Sequence, residues 1–163
     1  MNDLLSCVVK DYSDLITSRE QTRAGFISFA LEKNRRSTPF IEQAKVFHEY
    51  ASRAQTPDEL MNIPEIRNPL ITASGLSDKA LKYFTEEDKD KAVQELIDKF
   101  LKPAGDKFVD EAVYRFLLIR GDSLGGQMRN VVGALAQQKL IRVFVSSLAI
   151  MGIEFTWFDD SKW

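Results

Sequence analysis

The segment best suited to holding a ligand is Arg120-Gly121-Asp122-Ser123-Leu124-Gly125-Gly126-Gln127-Met128-Arg129-Asn130. Its small residues would let another molecule's backbone approach closely. If the run is a loop feeding a helix, the free N–H groups and positive dipole end at that helix start suit a phosphate oxygen. Ser123 can donate, and Arg129 and Asn130 would stand one turn in. The Gly-Lys-Ser/Thr element of a Walker loop is absent. On spacing alone a plain connector explains the run better, with Gly121 closing one helix and Asp122 or Ser123 capping the next.

A second set of possible phosphate donors is Arg23, Lys33, Arg35 and Arg36, with Lys33-Asn34-Arg35-Arg36-Ser37-Thr38 as its densest stretch. Cations also favour a helix C-terminus, so capping and phosphate contact stand about even here. His48 is the only histidine and Cys7 the only cysteine. Zinc sites of the Cys/His type are therefore excluded by count, and no Ser-His-Asp or Cys-His set has support from spacing. Glu86, Glu87, Asp88, Asp90, Glu95, Asp98, Asp110 and Glu111 alternate with Lys89, Lys91 and Lys99, the pattern of a solvated helix face laced by i,i+4 pairs. Glu87-Asp88-Lys89 and Asp160-Ser161-Lys162 match by letters the acidic-x-lysine pattern that holds a divalent ion in metal-dependent nucleases. The first falls on a helix, where the two ends of the pattern diverge. The second falls at the chain end with no strand after it. Neither is assigned a catalytic or metal role.

These residues need a scaffold, and its class is readable. The 163 residues suit one domain, read here as 1–163, and 44% hydrophobic with 28% charged residues is an ordinary globular balance. Five prolines and eight glycines are too few for an all-β fold with many tight turns. A net charge of −2 confines any nucleic-acid contact to local patches. A lone cysteine fits a cytoplasmic chain, and no basic leader or long apolar run predicts secretion or a membrane span. The longest weakly charged apolar run, Val143 to Phe155, is too short for a bilayer.

Apolar spacing predicts helices over 3–16, from 19 to about 35 after a Ser18/Gln21 capping box, and from Thr38-Pro39 to Ala51. A short helix follows Thr56-Pro57-Asp58-Glu59, and another covers 77–84 behind Ser77. Thr85 opens an amphipathic helix that Pro103-Ala104-Gly105 ends. Asp106 caps a helix to Gly121, and a long apolar helix runs from about 125 to 151. Alternation from Gly152 to Phe158 predicts the one credible strand. The expected fold is all-α, a multi-helix bundle-like domain with at most one short C-terminal strand.

Several stretches resemble a known family. Gln21-Thr22-Arg23-Ala24-Gly25-Phe26, Leu31-Glu32-Lys33-Asn34-Arg35, Thr38-Pro39-Phe40, Ser74-Gly75-Leu76-Ser77-Asp78-Lys79-Ala80, Phe100-Leu101-Lys102-Pro103-Ala104-Gly105 and Arg120-Gly121-Asp122-Ser123-Leu124-Gly125-Gly126 are similar to the N-terminal half of the AvaI/BsoBI-type type II restriction endonucleases. The resemblance runs from about residue 18 onward. It implies a homodimer that encloses double-stranded DNA and cuts a degenerate palindrome with a divalent metal, normally Mg²⁺. It also implies a helical part followed by a PD-(D/E)xK nuclease core. Family members are longer, and their catalytic residues lie beyond the matched region, so this chain is expected to lack that core and to need no cofactor of its own. The family's helical part touches DNA partly through a lysine, for which Lys79 is the candidate. Lys33, Arg35, Arg36, Ser123, Gly125, Gly126 and Arg129 complete the expected DNA contacts. The rival reading is a helical protein–protein adaptor with the acidic helix and apolar tail as its surfaces. A complete small nuclease is a third.

Overall fold

Ser18 opens the first helix through a reciprocal cap. The Gln21 N–H donates to Ser18 Oγ at 3.1 Å and the Ser18 N–H to Gln21 Oε1 at 2.9 Å. In the computed structural model, which describes residues 8–156, this helix (α1) runs unbroken over Arg19–Ala51. The expected break at Thr38-Pro39 does not occur. A cap accepts from an N–H ahead of it, whereas Thr38 donates backward, its hydroxyl bonding the Asn34 carbonyl at 3.2 Å beside Ser37 at 2.7 Å. Burial of Ala44, Phe47 and Ala51 further on holds the helix through the proline.

After α1, 3₁₀ turns cover Pro57–Asn62 and Pro64–Ile66, followed by α2 (Arg67–Ala73). Thr56 makes no side-chain cap bond, and Glu59 instead accepts from the Gln55 N–H at 2.7 Å. A 3₁₀ turn over Ala80–Tyr83 stands where the 77–84 helix was expected, and Ser77 Oγ does accept from the Ala80 N–H at 3.3 Å. Thr85 then forms a full capping box with Asp88 at the start of α3 (Glu86–Leu96). The Thr85 N–H and hydroxyl, both donating to the Asp88 carboxylate, hold its pKa below the usual range. A π turn (Ile97–Leu101) and a 3₁₀ turn (Lys102–Lys107) carry the chain to α4, Phe108–Ile150. Gly105 breaks the path there with φ 57° and ψ −133°, a conformation open chiefly to glycine.

Two expectations fail toward the ends. Over residues 8–16 only a 3₁₀ turn at Tyr12–Leu15 forms, so the 3–16 helix is not seen where the chain is described. The expected strand is absent over 153–156, and its last two positions lie outside the described residues. Instead α4 closes on Gly152 at φ 69°, with the Gly152 N–H bonding the Ala149 carbonyl and the Ile153 N–H the Leu148 carbonyl. The described residues are all-α, with no strand.

The chain divides into two compact units, residues 32–127 and residues 1–31 with 128–163. In the 32–127 unit the core is Phe47 and Ala51 of α1, Leu60, Ile66, Leu70, Leu96, Ile97, Leu101 and the α4 face Phe108, Ala112, Phe116. The i,i+4 pairs expected on the acidic helix are present: Lys99 bonds Glu95, and Lys102 bonds Asp98 at 2.7 Å. Arg67 ties α2 to Glu86 at 2.9 Å and Asp90 at 2.8 Å on α3. In the other unit the Val9 N–H donates to the buried Ser146 Oγ at 3.2 Å, and Lys139 Nζ to Thr17 Oγ1 at 2.6 Å. Much of this unit's apolar surface is left in water. Phe26, Ile27 and Leu31 of α1 and Leu135, Leu140 and Phe144 of α4 are all exposed, though the sequence marks them as helix faces to be buried. By length and composition α4 could cross a bilayer, since its most apolar window has a mean hydropathy of 1.2. Gln137, Gln138, Lys139 and Arg142, spaced along its carboxy-terminal half, are groups a bilayer core would have to desolvate.

Candidate nucleic-acid interface

The glycine-rich run is not a loop. Residues 120–130 lie inside α4, which passes through Gly121 without a cap. The free N–H groups of a helix start are therefore not available there, because interior N–H groups already bond carbonyls one turn back. Burial of Leu124 and Met128, at 4% and 3% exposure, continues the apolar row of Ala112 and Phe116 and outweighs the glycines' helix penalty of about 1 kcal/mol each. What remains is a helix face. Ser123, Gly125 and Gly126 are half-buried, and Arg129 is exposed. Arg129 stands one turn beyond the two glycines on this helix.

The Lys33 to Arg36 cluster is on α1 and not at a helix end, so C-terminal capping is no longer an explanation for it. Glu32 explains much of it instead. Arg35 grips that carboxylate with two bonds of 2.7 Å, and Arg36 Nε reaches the same group at 2.6 Å. The Arg35 bonds, then those of Arg36, pull the Glu32 pKa down to about 2, so it stays ionised at any ordinary pH. The i,i+3 and i,i+4 spacing of Glu32 to both arginines is visible in the sequence and is the signal the cation count overlooks. Lys33 is exposed, and so is Lys79 at the head of the 80–83 turn. Neither meets a carboxylate among the described residues.

Arg120 was not singled out from sequence for anything beyond the run it opens, yet it organises this part of the 32–127 unit. Its Nη1 bonds both oxygens of Asp78, at 3.0 and 3.3 Å, and its guanidinium lies 5.7 Å from the Phe40 and Phe116 ring centres. Its Nε is buried without a hydrogen-bond partner among the described residues. The side chain borders a cleft of about 510 Å³ whose other polar lining includes Glu42, Gln43, Glu65 and Asn68. Two carboxylates at its edge make this cleft a poor phosphate site.

The structure also brings together a Ser, a His and an Asp. Ser52 Oγ lies 3.5 Å from His48 Nδ1, and His48 Nε2 lies 3.4 Å from Asp110 Oδ1. The Ser52 hydroxyl donates to the His48 carbonyl at 2.7 Å, so its proton is already committed. Both side chains of the His–Asp pair are half in water. The row is a polar clasp from α1 to α4 and not an activated nucleophile. Of the acidic-x-lysine matches, Glu87-Asp88-Lys89 is spent on the α3 cap and on a Lys89–Glu86 pair at 2.6 Å. Asp160-Ser161-Lys162 lies outside the described residues.

Comparison with known proteins gives this geometry its context. A family model described as restriction endonuclease BsobI matches residues 6–163. The type II restriction enzyme BsoBI of Geobacillus stearothermophilus is 53% identical over 152 residues, 93% of this chain and 47% of that protein. The type II restriction enzyme AvaI of Nostoc sp. is 46% identical over 154 residues, 94% of this chain and 49% of its own length, and AvaI of Anabaena variabilis matches to the same extent. The chain spans about half the length of the curated relatives it matches. Matched by one family model across nearly its whole length, the chain belongs to the BsobI restriction endonuclease family.

Proposed function

We propose that this chain is the helical DNA-binding and dimerisation portion of a type II restriction endonuclease, a cytoplasmic protein, with strand scission left to a nuclease core outside these 163 residues. The observation that carries the reading is the family match across residues 6–163, to relatives named as type II restriction enzymes. Duplex contact is supported by Lys33, Lys79 and Arg129, exposed cations with no acidic partner among the described residues. Gly125 and Gly126 stand one turn before Arg129 on the same helix. Arg35 and Arg36 are pre-aligned planar donors, and Ser123 sits on the same helix as Arg129. Dimerisation is supported by the apolar side chains left in water on α1 and α4.

The Mg²⁺ of the family needs converging carboxylates. Among the described residues no three His, Cys, Asp or Glu side chains come together to hold an ion, so no step of this reading runs through metal on this chain. Supercoiled plasmid should stay intact with the chain and Mg²⁺ at high concentration, and nicking or linearisation would end the division of labour proposed here.

A salt titration of duplex binding tests the DNA reading. Affinity should fall steeply as salt rises, with a log–log slope of roughly −0.9 per phosphate neutralised. Arg129→Ala should weaken binding several-fold at low salt and flatten that slope by about one, with helix content unchanged. Equal binding by the variant would remove Arg129 from the interface. The exposed apolar rows equally favour an adaptor with no nucleic-acid role. Such a protein would show no duplex binding even at low salt.

A further inference from the structure

The cleft that Arg120 borders lies wholly within the 32–127 unit, lined from α1, from the Pro64–Ile66 turn with α2, and from α4. At about 510 Å³ it falls in the size range of small-ligand pockets. Its lining divides by chemistry. Phe47 and Phe116 form a buried floor, and Val46 and Pro69 add apolar wall. Val46 is 51% exposed, an apolar side chain left in water at this cleft. Two acids stand beside it. Glu42 shares its charge with Lys45 at 2.9 Å, whereas Glu65 meets no cation among the described residues. Arg120 does not offset them, because its Nη1 already holds both oxygens of Asp78. The cleft is therefore negative, with the Glu65 carboxylate unspent.

Its other polar groups are unspent too. The side-chain amides of Gln43 and Asn68 make no hydrogen bond among the described residues, and each offers both a donor and an acceptor. The Arg120 Nε is shut off from solvent with no acceptor to meet it. Burying an N–H unpaired is unfavourable, so a carbonyl that draws this guanidinium toward it gains a bond that water does not supply. One kind of occupant answers all of these groups. An arginine in an extended peptide brings a cation for the carboxylate, a hydrocarbon stem for the apolar wall, and peptide groups for the amides and the Nε. Its planar fork matches a carboxylate with two parallel bonds, and a guanidinium sheds water more readily than an ammonium. We propose that this cleft is a docking site for an extended, arginine-bearing segment of a partner protein. The guanidinium sits on Glu65, the stem lies against Val46 and Pro69, and the segment's main chain bonds Gln43 and Asn68. The same acids repel phosphate, so this site is separate from the duplex contacts and does not depend on them.

Amide NMR shifts of the isotope-labelled full chain, titrated with the blocked tripeptide acetyl-Ala-Arg-Ala-amide, test the assignment. The shifts should saturate and should centre on residues 42–46, 65–69 and 116–120. Glu65→Gln should weaken binding by about tenfold, through loss of the charge-assisted pair. Glu65 is exposed and makes no ion pair among the described residues, so circular dichroism of the variant should match the parent. The same peptide with citrulline in place of arginine keeps the shape without the charge and should give no saturating shift. Shifts that fail to saturate, that centre on the acids of α3, or that survive Glu65→Gln unchanged would overturn the site. Methylguanidinium binding as tightly as the tripeptide would overturn the peptide partner and make a free small cation the occupant.

Discussion

Phe47→Ala should destabilise the 32–127 unit by about 3–5 kcal/mol, enough to bring a marginal domain near its unfolding midpoint. Phe47 is wholly buried and meets Phe116 edge to face, with ring centres 5.8 Å apart at 76°. Its same-face neighbours along α1 are Ala44 and Ala51, side chains too short to swing into the space left behind. The cavity would therefore stay open, and the edge-to-face contact, worth about 0.5–1.5 kcal/mol beyond the buried area, would be lost with it. Phe47→Leu keeps most of the volume and should cost clearly less. Urea unfolding followed by circular dichroism reads both, as a lower midpoint at unchanged slope. A loss below about 1 kcal/mol for the alanine variant would mean that α1 and α4 do not share this core.

The second large effect has the opposite sign. Gly121→Ala and Gly133→Ala should each stabilise the chain by up to about 1 kcal/mol, and together by about 2 kcal/mol, since they sit roughly 18 Å apart on one helix and should add. Both glycines are helical, and a Cβ built on either meets nothing within 4 Å. Alanine therefore gains helix propensity and loses no packing. The outcome also decides between two conformations of the 120–130 segment. Were Gly121 the left-handed residue that ends a helix, as its spacing suggests, alanine there would be strained and the variant would unfold earlier. A lowered thermal midpoint for Gly121→Ala would overturn the continuous α4.

That contrast shows what could and could not be read in advance. Apolar spacing placed α-helix correctly along most of the chain, and local caps were legible where both partners are near in sequence, as at Ser18/Gln21 and Thr85. Breaks were harder. Pro39 and Gly121 are punctuation by local rules, but burial of Phe47 on one helix and of Leu124 and Met128 on the other carries the chain through. Gly105 does break the path, because its backbone enters a region that only glycine tolerates. At the candidate interface the residue types were readable and their circumstances were not. Nothing local in the sequence shows that Arg120 is tied to Asp78, 42 positions away. The family itself was visible in short runs such as Ser74-Gly75-Leu76-Ser77-Asp78-Lys79.

Glu32 changes what the basic stretch on α1 can be. Three cations lie within four residues, yet the shared carboxylate leaves the group with two net charges. It is a tethered counterion, carried by the chain itself and so never diluted away. Any polyanion must compete with it for the same two guanidinium forks, which filters out casual encounters. A partner that holds the protein through other points can outbid the tether and find both forks already aimed.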